Sequence, residues 1–153
     1  QRSSMERALT GAGYEVFTEE RGDKTALRIT EERPDVVLLD LSMPIMDGFQ
    51  VLRQIKGNPL TRGVSIIVLG EEMNRDVYSA SMTLGARDLI VKPWHPGDLQ
   101  LRVHRAFEAS RARMKQAERA ANRAKTRLRI SVNGKERSRS RAGNRNVRPV
   151  GNR

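Results

Sequence analysis

Three apolar runs in the chain have the length and the setting of buried β-strands. They are Val36–Leu39, Val64–Leu69 and Leu89–Val91. A strand that is covered on both faces is a nearly continuous apolar run, and such strands are typical of parallel sheets. A fourth short segment, Tyr14–Phe17, is also predicted to be a strand.

Helical spacing fills the intervals between these predicted strands. The clearest example is Met73, Val77, Ala80 and Leu84, which recur at intervals of four, three and four residues and so share one helix face. Similar patterns predict helices over residues 1–12, 26–32, 48–56 and from 97 onward. Strands that alternate with helices predict an α/β fold with a parallel sheet and right-handed crossovers.

The last predicted helix continues with a heptad spacing. The positions concerned are Val103, Phe107, Ser110, Met114, Ala117, Ala121, Ala124 and Leu128. Such spacing is that of a coiled-coil seam, although the many alanines make it weak. We therefore predict a helical extension over residues 109–129. It forms a homodimer through residues 99–128 or remains a solvated basic helix.

The charge of the chain is concentrated at its C-terminal end. Residues 1–108 hold 14 Lys and Arg against 16 Asp and Glu, whereas residues 109–153 hold 15 against 2. Residues 130–153 are also nearly free of apolar side chains, which predicts a basic disordered tail. No aromatic residue follows Phe107, so the tail lacks stacking platforms. It is expected to bind polyanions, including nucleic acid, only through phosphates and without sequence preference.

Composition excludes several other classes of function. The chain has no Cys, which excludes disulfides and thiolate zinc sites. No apolar run is long enough for a membrane span, and we expect a cytoplasmic protein. Beyond the positions described next, no second catalytic constellation is visible, so the chain as given is not expected to be an enzyme.

The candidate functional residues lie where the predicted strands end. Asp40 follows the first buried run and Lys92-Pro93 follows the last, with Pro44 and Asp47-Gly48 close behind Asp40. In open parallel sheets, ligands bind outside the carboxyl ends of the strands. This combination resembles the receiver domain of two-component response regulators, and the resemblance covers roughly residues 1–108.

The resemblance implies a flavodoxin-like, doubly wound sheet with strand order 2-1-3-4-5. The stretch before Tyr14 is helical, so the family's first strand is missing, and with it the paired acids that hold the metal. We expect them upstream of Gln1, in a longer parent chain; the alternative is a degenerate domain that lacks them. Residues 116–128 also resemble the entry to the dimerisation helix of hybrid histidine kinases, so the parent could be such a kinase.

The resemblance also assigns roles at the site. Asp40 is implied to be the phosphoacceptor and a Mg²⁺ ligand, and the backbone carbonyl of Ser42 a second ligand. Lys92 is implied to pair with the phosphate, aimed inward by a cis bond to Pro93. The implied partner is a histidine kinase or a phosphotransfer protein.

Two positions depart from the family pattern, and they leave three readings open. Gly70 stands where the family usually has Thr or Ser, and Leu89 stands where it has Tyr or Phe. In the family, the hydroxyl of the Thr or Ser binds the phosphoryl group, and the aromatic ring moves inward when that hydroxyl moves. Both parts of this conformational switch are therefore absent here. The chain is expected to be a phosphoacceptor receiver, a pseudo-receiver that binds proteins without phosphotransfer, or a protein that binds nucleic acid through its tail.

Overall fold

The structure, a computed structural model, describes residues 2–43, 46–72 and 74–142, with only the backbone described for Arg2 and residues 125–142. Its elements alternate between helix and strand after the first two helices. In chain order they are α1 (Arg2–Gly11), α2 (Gly22–Glu32), β1 (Val36–Asp40), α3 (Gly48–Gly57), β2 (Ser65–Gly70), α4 (Arg75–Thr83), β3 (Asp88–Val91) and α5 (Pro96–Ala142).

The three described strands form one parallel sheet in the order β1-β2-β3. The central strand β2 is buried along its whole length, whereas β1 and β3 are partly exposed. Asp40 pairs with Leu69 in the register of β1 with β2, and Gly70 pairs with Val91 in that of β2 with β3. The carboxyl ends of all three strands therefore meet at one edge, as the sequence predicts.

Each face of the sheet carries its own hydrophobic cluster, because alternate residues of a strand point to opposite faces. Ile66 and Val68 join a cluster with residues of α2 and α3. Ile67 and Leu69 join a second cluster with Leu9 of α1 and with Leu99, Val103 and Ala106 of α5. The sheet is thus covered by helices on both sides. The predicted α/β class is confirmed, with three parallel strands among the described residues where the sequence predicts four.

The predicted strand at Tyr14–Phe17 is wrong. Residues 14–21 form no regular element, and Tyr14 and Val16 pack against the second cluster. A strand needs a neighbour to receive its backbone hydrogen bonds. In the order 2-1-3-4-5, the neighbour of this segment is the first strand. Because no such strand occurs among the described residues, the segment has no ladder to join.

The buried face of α4 also differs from the predicted one. Ala80 is exposed, whereas Ser81 is fully buried, and Met73 lies outside the described residues. The hydroxyl of Ser81 donates to the carbonyl of Val77 at 2.7 Å. A serine that bonds to its own helix in this way can be buried at little cost, which a hydrophobic pattern does not register.

Helix α5 extends to Ala142, and only its backbone is described from residue 125 onward. The disorder expected of the basic tail from residue 130 stays a prediction. The part of the predicted tail at residues 143–153 lies outside the described residues. The chain separates into two units, Gln1–Ala112 and Arg113–Arg153. No described helix is long and apolar enough to cross a membrane.

Candidate functional site

Asp40 and Lys92 form a direct ion pair at the carboxyl edge of the sheet. The ammonium Nζ of Lys92 donates to Oδ2 of Asp40 at 2.6 Å. The other carboxylate oxygen, Oδ1, accepts the backbone N–H of Ser42 at 2.9 Å. The side chain of Asp40 is 38% exposed and that of Lys92 is 13% exposed. The carboxylate is therefore open to solvent, while its cationic partner is largely shielded.

The sheet positions this pair through backbone hydrogen bonds just beyond the strands. The N–H of Leu41 donates to the carbonyl of Leu69 at 2.9 Å, and the N–H of Lys92 donates to that of Gly70 at 2.8 Å. The parallel ladder thus continues past both functional residues and fixes their backbones. The peptide bond between Lys92 and Pro93 is cis, in agreement with the resemblance.

Close packing between β1 and the start of α3 holds the backbone of Asp40. A Cβ atom on Gly48 would lie 2.5 Å from Cα of Leu41 and 2.7 Å from the carbonyl oxygen of Asp40. Only glycine fits there, because both neighbours are backbone atoms. Asp47 caps α3, with Oδ1 accepting the N–H of Phe49 at 3.0 Å. The Asp47-Gly48 pair therefore has a structural role beside the site.

The described residues do not fit a Mg²⁺ site. Receiver domains typically bind Mg²⁺, which prefers several oxygen ligands. Here Asp40 already binds Lys92 and Ser42. In the part of the chain that is described, no group of three or more acidic, His or Cys side chains comes together. The assignment of the Ser42 carbonyl as a ligand remains a prediction.

The two positions that depart from the family pattern lie on neighbouring strands, Gly70 at the end of β2 and Leu89 inside β3. Gly70 ends β2, the strand between those that carry Asp40 and Lys92. A Cβ on Gly70 would meet only the carbonyl oxygen of Glu72 at 3.5 Å and Cδ1 of Leu41 at 3.9 Å, so a side chain has room there. Leu89 in β3 is 1% exposed and belongs to the first cluster. It is a core residue, with no polar group to respond to a change at Asp40.

Sequence reasoning missed an ion-pair network between β3 and α5. The guanidinium of Arg102 donates through Nη1 to Oδ1 of Asp88 at 2.9 Å and through Nε to Oδ1 of Asp98 at 3.0 Å. Hydrogen bonds to Asp98 and then to Asp88 raise the pKa of Arg102 above its usual value. The spacing of four residues from Asp98 to Arg102 was visible in the sequence, but the contribution of Asp88 was not.

The two histidines play local roles. Nδ1 of His95 accepts the N–H of Gly97 at 3.2 Å near the start of α5. Nδ1 of His104 lies 3.3 Å from the hydroxyl of Tyr14.

The fold and the site define the class of protein: a parallel α/β domain with an Asp–Lys pair at the carboxyl edge of its sheet. Comparison with known proteins then identifies the family. The family model of the response regulator receiver domain matches residues 1–104. The chain therefore belongs to this family and is a receiver domain of a two-component response regulator.

Curated relatives match the same part of the chain. The transcriptional regulatory protein PrrA of Mycobacterium tuberculosis is 35% identical over 101 residues, which are 66% of this chain and 42% of PrrA. The response regulator PleD of Caulobacter vibrioides is 35% identical over 89 residues, which are 58% of this chain and 20% of PleD. The chain thus spans less than half the length of these relatives.

Solved structures agree on the fold. A response regulator from Chloroflexus aurantiacus has a TM-score of 0.66 and 29% identity, and the match covers 70% of this chain and 88% of that chain. The chemotaxis protein CheY4 of Vibrio cholerae has a TM-score of 0.65 and 28% identity, and the match covers 69% and 88%.

Proposed function

We propose that this receiver domain is a phosphoacceptor in a two-component phosphorelay, and that Asp40 receives the phosphoryl group. The donor is a phosphohistidine on a histidine kinase or a phosphotransfer protein. The observation that carries the proposal is the contact of 2.6 Å between Nζ of Lys92 and Oδ2 of Asp40. A carboxylate that is 38% exposed is accessible to a protein donor.

The transfer itself is a displacement at phosphorus. A carboxylate oxygen of Asp40 forms the new O–P bond while the N–P bond of the phosphohistidine breaks, and its electron pair returns to the imidazole nitrogen. The acyl phosphate carries more negative charge than the carboxylate that it replaces. Lys92 offsets that charge from a position that is only 13% exposed, where water screens it weakly.

The test is labelling by a small phosphoramidate, which presents the same N–P bond, followed by mapping of the modified residue by mass spectrometry. We expect label on Asp40 and none in Asp40→Asn. Asp47→Asn is the matched control, because it removes a neighbouring acid while asparagine still caps α3. Label on another residue, or label that survives Asp40→Asn, contradicts the proposal.

A pseudo-receiver without phosphotransfer is the second candidate, and two observations favour it. Among the described residues, no group of three or more acidic, His or Cys side chains forms a metal site. Gly70 also lacks the hydroxyl, and Leu89 the aromatic ring, that form the usual conformational switch of the family. A folded chain that stays unlabelled by the phosphoramidate but still binds a histidine kinase supports this candidate.

We also propose a homodimer through residues 99–128. Its interface is smaller than the heptad spacing of these residues suggests. Val103 and Ser110 are 5% and 7% exposed, because they pack within the first unit. Met114, by contrast, is 57% exposed. The surface left for a second copy therefore begins near Met114. The boundaries at residues 108 and 129, the cytoplasmic location and the hybrid-kinase parent remain predictions.

A further inference from the structure

The second unit of the chain, Arg113–Arg153, carries a large net positive charge that has no role in the proposed phosphoryl transfer. Residues 113–153 hold 14 Lys and Arg against only Glu118 and Glu136, whereas residues 1–112 hold 15 Lys and Arg against 16 Asp and Glu. The imbalance is therefore confined to the unit that begins at Arg113.

Helix α5 arranges part of this charge into a row. Lys115, Arg119, Arg123 and Arg127 follow one another at intervals of four residues, and α5 is continuous through all four positions. Residues four apart lie on one helix face, separated by a rise of about 6 Å. The side chains of Lys115, Arg119 and Arg123 are exposed. We call these four residues the basic row.

Three members of the basic row have no partner for their charge among the described residues. The side chains of Lys115, Arg119 and Arg123 take part in no hydrogen bond or ion pair there. Like charges at intervals of four residues destabilise a helix. An extended anion that lies along the row removes this repulsion, so binding and helix stability are coupled.

The chemistry of the surrounding surface favours one class of polyanion. A helix that inserts into a lipid surface requires an apolar face, but Met114 is the only large apolar side chain among residues 113–124. Single-stranded nucleic acid requires aromatic platforms, and no aromatic residue follows Phe107. What remains is a regular array of phosphates on a double-stranded backbone, which needs cations alone.

We propose that the basic row of α5 binds the phosphate backbone of duplex nucleic acid without sequence preference. The site is independent of Asp40 and needs no phosphoryl transfer. Each phosphate that is neutralised contributes about −0.9 to the slope of log affinity against log salt concentration. The four cations of the row therefore account for about 3 to 4 units of that slope.

The test measures fluorescence anisotropy of a labelled DNA duplex with the full chain over a series of salt concentrations. The row variant K115Q/R119Q/R123Q/R127Q is compared with R53Q/R62Q/R75Q/R87Q. The control variant removes the same four charges from exposed arginines of the first unit. We expect the row variant to flatten the salt slope by about 3 to 4 and the control to leave it unchanged.

A second measurement examines the helix directly. Circular dichroism at low salt is expected to show a gain of helix when duplex is added to the natural chain, and a smaller gain in the row variant. Equal losses of affinity in the two variants show that net charge alone is responsible and overturn the proposal. Tighter binding to single-stranded DNA, or to vesicles that contain phosphatidylserine, overturns it as well.

Discussion

The side chains of Asp40 and Lys92 meet at 2.6 Å, although Asp40 ends β1 and Lys92 follows β3, the two outer strands of the three-stranded sheet. The strand between them, β2, ends in Gly70, which has no side chain. The contact therefore joins β1 to β3 over the end of the central strand. It places a carboxylate and a cation where an incoming anion would meet both.

Removal of either partner of this pair should weaken the fold modestly, because Asp40 is partly exposed and solvent screens the pair. We expect a double-mutant cycle of Asp40→Asn with Lys92→Met to give a coupling of about 1 kcal/mol in the free energy of unfolding. Urea denaturation measures it. Methionine retains most of the apolar stem of Lys92, so packing is largely preserved. Strictly additive single substitutions would mean that the ion pair contributes nothing.

Gly48→Ala should destabilise the domain by about 1–3 kcal/mol, because the new Cβ would overlap backbone atoms of Asp40 and Leu41. Gly57→Ala at the other end of α3 is the matched control, since nothing lies within 4 Å of a Cβ there. The control should be neutral or slightly stabilising, because alanine favours a helix more than glycine does. Thermal or urea unfolding of both variants checks the difference. Similar stabilities would rule out the close approach.

Gly70→Thr should be tolerated, because its Cβ makes only ordinary contacts with Glu72 and Leu41. Replacing glycine within a strand should raise the free energy of unfolding by up to about 1 kcal/mol. Gly70→Val has nearly the same shape without the hydroxyl. If Asp40 is phosphorylated, the phosphoryl group should persist longer in the Thr variant than in the Val variant, since only threonine can donate to it. Equal lifetimes would show that the hydroxyl does not reach the phosphate.

Arg102→Gln should cost about 1 kcal/mol of stability, because the guanidinium holds Asp88 of β3 and Asp98 of α5 together while half-buried. Arg105→Gln on the same helix is the control, since Arg105 is exposed, and should change stability by less than about 0.5 kcal/mol. Urea denaturation with and without added salt measures both. If Arg102→Gln behaves like the control, the network does not anchor α5.

Magnesium should bind weakly to the chain as given, because Asp40 is already paired with Lys92 and no group of three or more acidic, His or Cys side chains comes together among the described residues. Trp94 is the only tryptophan of the sequence and lies two residues after Lys92, so its fluorescence reports on the site. We expect no saturable change in a titration below about millimolar Mg²⁺, a range that a complete set of oxygen ligands can reach. Saturation at lower concentrations would reveal ligands beyond Asp40.

The amino-acid sequence by itself determined the sheet and the ends of its strands. Continuous apolar runs indicated β1, β2 and β3, because burial on both faces leaves a local signature in a single strand. The placement of Asp40 and Lys92 directly after two of those runs was enough to predict that they lie at one edge. These features depend on residues that are near one another in the chain.

Only the tertiary structure decided features that depend on distant neighbours. Tyr14–Phe17 has strand-like residues but no partner strand, and Ser81 is buried because its own helix satisfies its hydroxyl. The requirement for glycine at position 48 comes from the backbone of β1, and the role of Arg102 comes from Asp88 across the fold. A local pattern records what a residue prefers, whereas packing and pairing depend on which groups the fold brings next to it.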